Sequence, residues 1–199
     1  MSIGCLAAEP GGRSGCHAAE PGARFGAGIE WGGNWQVFQA TTYAFHSVSG
    51  TLYPYSDSGY KRSDDAYVAC VFSLDFASHS SASLIFGLSD FDCRLCMPAS
   101  LRYSWSFSGN GAEGWMAMFE AGTFIGSGLL REKAVSAKAG AAYRLRLSRS
   151  LTMKISGGVR FVNHSPEVTD NRFGVIPRER VVYDSANHIS PFVSLSLDL

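Results

Sequence analysis

The stretch VSAKAGAAYRLRLSRSLTMKISGGVRF, residues 135–161, alternates apolar and polar side chains on both sides of a short polar turn. Val135, Ala137, Ala139, Ala141, Tyr143, Leu145 and Leu147 face one way, while Ser136, Lys138, Ala142, Arg144 and Arg146 face the other. After Ser148-Arg149-Ser150 the pattern resumes, with Leu151, Met153, Ile155, Val159 and Phe161 set against Thr152, Lys154, Ser156 and Arg160. Successive side chains of a strand point to opposite faces, so a period of two over runs this long reads as two antiparallel strands with one apolar and one charged face. A membrane-spanning barrel needs that arrangement, with lipid outside and a polar lumen inside.

The same reading extends to the rest of the chain. Alternation and turn signals predict eight strands, near 25–46, 66–77, 82–89, 99–108, 113–126, 134–147, 151–163 and 189–199. Polar or Pro/Gly-bearing loops at 47–65, 90–98 and 164–188, with a shorter one at 127–133, interleave with tight turns at 78–81, 109–112 and 148–150. Long loops on one rim and short turns on the other are how outer-membrane barrels are built, the long rim being extracellular. The fold expected is all-β: an antiparallel up-and-down transmembrane β-barrel of eight strands, ten being the alternative. Parity makes 25–46 one long strand with a glycine bulge or kink at Gly32-Gly33, because splitting it would give an odd count.

Composition agrees with a single all-β domain. The 199 residues include 22 glycines and 13% aromatics, and helical periodicity is nearly absent. Seventeen basic residues balance seventeen acidic ones, so no net field attracts nucleic acid. No apolar run is long enough for a transmembrane helix, which leaves a barrel open because its signal is spread over short segments.

The apolar face carries Trp31, Phe72, Phe76, Phe86, Tyr103, Trp105, Phe107, Trp115, Phe119 and Tyr143, suited to girdles at the two headgroup levels. The opposite face carries Glu30, Asp75, Arg102, Glu120, Lys138, Arg144, Arg146, Lys154, Arg160 and Asp198. In an eight-stranded barrel the interior is just wide enough for side chains, so these charges are expected to pair across a plugged lumen. The bland alternative is the solvated face of a soluble sheet.

Residues 1–24 read as a separate, disordered or artefactual extension ahead of a barrel domain at 25–199. There GCLAAEPGGR (4–13) recurs as GCHAAEPGAR (15–24), a tandem repeat of period eleven too short for a stacked-repeat fold. Residues 1–28 offer no basic start followed by a continuous apolar core, so no signal peptide is expected within them.

Five cysteines imply no disulfide framework. Cys93 and Cys96 have CxxC spacing without a second ligand pair, which reads as a loop disulfide or two incidental thiols; Cys70 reads as a small hydrophobe. No motif implies a metal or a cofactor.

Four phrases, GIEWG (28–32), KAGAAYRLRLSRS (138–150), HSP (164–166) and SPFVSLSLDL (190–199), resemble the small outer-membrane β-barrel proteins of Bacteroides-type bacteria. The resemblance implies the barrel fold, a bacterial outer-membrane location and contact with outer-membrane lipid. It transfers no functional residues, since many members have no assigned activity.

Function is expected to be non-enzymatic: a structural or surface-interaction role through the loops at 47–65 and 164–188. The enzyme alternative is a lipid-modifying hydrolase, for which His164, Ser165 and Glu167 supply base, nucleophile and orienting acid at the extracellular end of a strand. His79-Ser80-Ser81 falls on the periplasmic rim, and His46 with Ser47 and Ser49 on the other. The binding alternative is a soluble β-barrel holding a small apolar ligand.

Overall fold

The computed structural model describes residues 24–91, 94–110, 112–125, 134–170 and 172–199. It contains β1 (Arg24–His46), β2 (Leu52–Asp75), β3 (Ser80–Phe91), β4 (Arg94–Ser106), β5 (Gly114–Ile125), β6 (Val135–Arg146), β7 (Thr152–His164), the short β8 (Thr169–Asp170) and β9 (Gly174–Val175), and β10 (Val181–Asp198). β1 to β7 and β10 pair in the cyclic order β1-β10-β7-β6-β5-β4-β3-β2, each antiparallel to its neighbours, and close an eight-stranded barrel. Closure removes the unpaired sheet edges that an open sheet would present. Residues 1–23 of the extension expected at 1–24, the loop expected at 127–133 and Cys93 lie outside the described residues, while Arg24 begins β1.

The opening hairpin is β6 and β7, in register from Val135↔Asn163 to Arg146↔Thr152. Two glycines inside it let the strands approach closely. Gly140 and Gly158 stand opposite each other, and a Cβ would lie 2.3 Å from the Gly157 carbonyl at the first and 2.2 Å from the Ala139 carbonyl at the second. Only glycine permits the two backbones to approach this closely.

Three expectations are corrected. The bulge in β1 is not at Gly32-Gly33, where pairing with both neighbours is unbroken; the register shifts between Asn34 and Phe38 on the β10 side and between Gln36 and Phe38 on the β2 side. Gly32 has another task, since a Cβ there would lie 2.5 Å from the Val193 carbonyl and 2.9 Å from the Tyr67 ring. β4 begins at Arg94 rather than near 99, so the loop expected at 90–98 is mostly strand. Pro98 is accommodated where the β3 ladder is interrupted between Phe86↔Ala99 and Ser89↔Cys96, which suits a residue without an N–H.

The third correction concerns the loops at 47–65 and 164–188. β2 starts at Leu52 and stays paired with β1 from His46↔Leu52 downward, leaving a connection at 47–51 closed by the Ser47 and Thr51 backbones. β10 starts at Val181, and between it and β7 the chain folds the β8–β9 hairpin. β2 pairs with β3 only from Tyr67↔Ser89; beyond Asp65, which still faces the lumen, residues 52–64 continue with β1 and the start of β10 as a three-stranded blade. A strand of this length, residues 52–64, extends roughly 40 Å at about 3.3 Å per residue. Both blade faces are exposed along 52–60, so the alternation that betrays a half-buried strand is missing there. Pro54 lies on the blade's edge, where no further strand needs its N–H.

The distribution of side chains is inverted relative to a water-soluble domain. Ile29, Phe72, Phe86, Leu101, Trp115, Phe119 and Val159 are exposed on the outer wall, while Glu30 is fully buried and Arg102, Glu120, Lys138 and Arg160 are buried inside. Exposed apolar area on this scale, wrapped around a polar interior, matches a wall facing lipid.

Candidate functional site

The lumen is organised around Arg102. Its guanidinium donates to both Glu30 oxygens, Nη1 to Oε2 at 2.5 Å and Nη2 to Oε1 at 2.8 Å, and to Glu120 Oε2 from Nε at 3.0 Å and Nη2 at 2.7 Å. A planar fork with several donors can serve two carboxylates at once, which an ammonium cannot do with the same geometry. The remaining lone pairs are also used. Tyr67 Oη donates to Glu30 Oε1 at 2.7 Å, Ser100 Oγ donates to Glu120 Oε1 at 2.8 Å, and Lys138 Nζ lies 3.3 Å from Glu120 Oε1. Lys138 also sits 4.4 Å from the centre of the Tyr67 ring. Two acids and two bases balance each other here.

Toward the blade a second layer follows. Arg160 Nη1 lies 3.6 Å from Asp65 Oδ2, with its guanidinium carbon 5.4 Å and 5.2 Å from the Phe91 and Phe124 ring centres. His164 and His188 stack at 4.8 Å, Phe91 meets both edge-on, and Gln36 Nε2 donates to His188 Nδ1. Toward the turns, Lys154 Nζ lies 2.7 Å from Asp198 Oδ2 and Arg144 is buried nearby. A cavity among Asn34, Tyr67, Ser100, Glu120 and Lys138 measures about 20 Å³, room for a single water.

The lumen residues named from the sequence therefore divide. Glu30, Arg102, Glu120 and Lys138 form one connected cluster, and Arg160 and the Lys154–Asp198 pair lie above and below it. Arg146 is exposed at the turn-side rim, its Nε donating to the Ser148 carbonyl, and Asp75 is half-buried at the same end. Sequence reasoning passed over Tyr67 and Asp65. Tyr67 was legible, since it shares inward parity with Ala69 and Val71; Asp65 was hidden inside the supposed loop.

The candidate catalytic residues are placed as follows. His164 faces inward against His188 and Phe91, Ser165 is half-buried and Glu167 is exposed. His46 Nδ1 lies 3.1 Å from the Gly50 carbonyl at the blade tip. His79 Nδ1 lies 2.6 Å from the Ser106 carbonyl on the turn side, with its ring stacked on Trp105. Cys96 is buried and its thiol donates to the Ser89 carbonyl at 3.3 Å, while Cys70 is exposed on the outer wall.

The blade carries its own apolar cluster, in which Tyr43 and Phe45 pack with Val168 and Ile176. Tyr43 stacks on Tyr55 at 4.6 Å and Phe45 on Tyr53 at 5.6 Å, and Phe173 of the β8–β9 turn meets Phe45 edge-on. The Asp57 carboxylate raises the Tyr55 phenol above its ordinary pKa.

Fold and lumen together define the class: a closed antiparallel eight-stranded β-barrel with an ion-paired interior and an apolar exterior. No protein-family model and no curated protein matches the chain. Among solved structures it is similar to a Pseudomonas aeruginosa FadL homologue, at 14% identity and a TM-score of 0.30, over 88% of this chain and 49% of that one. It is also similar to the Salmonella SPI-1 type III secretion injectisome secretin InvG in the open gate state, at 9% identity and a TM-score of 0.24, over 89% and 60%. The chain thus spans about half the length of the first, and likenesses of this degree carry no functional argument.

Proposed function

We propose that the chain is a non-enzymatic bacterial outer-membrane barrel whose closed body anchors a surface-interaction blade. The observation that carries this reading is the inversion of burial: Glu30, Arg102, Glu120 and Lys138 inside, and a belt including Ile29, Leu101, Phe119 and Val159 outside. Burial of an ion network is costly against water and needs the pairing seen here, whereas the belt is favourable only against lipid. A soluble barrel holding an apolar ligand would need an apolar, open interior, and this one is polar and packed. Kinship with the small barrels of Bacteroides-type bacteria rests on the quoted phrases, which occupy β1, β6 and β10 and the segment after β7.

Surface interaction is assigned to the blade because it stands clear of the belt and exposes Tyr53, Tyr55, Tyr60 and Phe173. The blade is extracellular and the three tight turns periplasmic in this reading. An epitope inserted at Gly50 should be reached by antibody on intact cells, and one inserted at Arg149 only after permeabilisation. Equal access to both, or access to Arg149 alone, would overturn the placement.

A further inference from the structure

The turn-side mouth of the barrel holds a cavity of about 320 Å³ that the ion networks above do not fill. Arg24, Arg144, Arg149 and Lys154 line it against Asp75 and Asp198, an excess of two positive charges among the side chains. Arg144 and Lys154 are cross-strand neighbours on β6 and β7, both turned inward. Arg144 is 6% exposed, and its Nε has no hydrogen-bond partner. No carboxylate among the described residues forms an ion pair with it. A buried guanidinium without an anion is costly, and a charge-assisted bond would relieve that cost. Lys154, by contrast, is held by Asp198, whose other oxygen accepts from Ser196 Oγ at 2.9 Å, so its ammonium is fixed at the cavity wall.

We propose that this mouth binds a phosphate group, with Arg144 as the central ligand and Lys154 and Arg149 beside it. Several cations converging on one cavity suit a tetrahedral anion with three or four oxygens better than a carboxylate with two. The phosphate has two sources, a free ion or the headgroup of a phospholipid. The second is suggested by an apolar groove of about 560 Å³ on the outer wall, lined by Ala27, Phe72, Leu74, Leu84 and Leu101. Groove and mouth meet at Phe25, Gly26, Ser73 and Leu199, which line both. A headgroup in the mouth can thus continue into an acyl chain in the groove.

The experiment uses the full chain in detergent, with inorganic phosphate titrated by calorimetry. In parallel, native mass spectrometry compares retention of phosphatidylglycerol with diacylglycerol of the same chains. Binding of inorganic phosphate assigns the free ion; selective retention of phosphatidylglycerol alone assigns the headgroup. In either case Arg144→Gln should weaken binding by about tenfold or more, the worth of a lost charge-assisted bond. Arg149→Gln, at an exposed turn where folding is not at stake, should weaken it to a smaller degree. Absence of both binding events, or binding equal in wild type and both variants, would overturn the site. The lipid arm rests on the membrane placement proposed above and the phosphate arm does not. A heat-dependent gel shift of the same sample separates failure of the site from failure of that placement.

Discussion

At the scale of single residues, Arg102 matters most, because its guanidinium hydrogen-bonds to both Glu30 and Glu120. Removing a partner from a buried ion cluster costs more than the cluster contributes, since the charges left behind keep their desolvation penalty. Arg102→Met should therefore lower stability against urea by about 3–5 kcal/mol, measured as the unfolding midpoint in detergent or bilayer. Replacing Arg102, Glu30, Glu120 and Lys138 together by apolar residues of similar volume should cost less than Arg102→Met alone, because no member of the cluster is then left charged without its partner. Most of this cluster could be read from parity, since Glu30, Arg102, Glu120 and Lys138 all fall on the charged side of alternating strands. What parity could not show is who pairs with whom. Tyr67 reaches Glu30 only because Gly32 has no side chain, a relation between strands that no single segment displays.

At the scale of elements, the strands divide by whether a face is buried. β6 and β7 have one face on the lumen and one on the outside, and their alternation was plain from residue 135 onward. The blade part of β2 has both faces exposed, so nothing selects apolar residues at every second position, and Ser56, Asp57, Ser58 and Gly59 look like loop. Its pairing with β1 is long-range information. The outward face of β5 allows a direct check on what surrounds the barrel. Phe119→Arg, in the middle of the exposed side of β5, should cost about 2–4 kcal/mol of folding free energy in a bilayer if that side faces the hydrocarbon. Were the same face in water, the substitution would be close to neutral.

At the scale of the whole molecule, eight strands close around an interior filled by ion pairs, aromatic rings and serines, with longer strands projecting on one side. Strand number and closure were legible because every barrel-body strand carries its own alternation and parity excludes an odd count. The direction of the projection was legible too, though not its form, since a paired blade and a pair of loops have similar composition. The central claim is a closed barrel folded in an amphiphilic environment, and heat-modifiable migration after detergent extraction tests it most directly. Unheated protein should run as a compact band and boiled protein as a separate, fully unfolded one. A single band before and after boiling, from protein that remains monomeric without detergent, would contradict it.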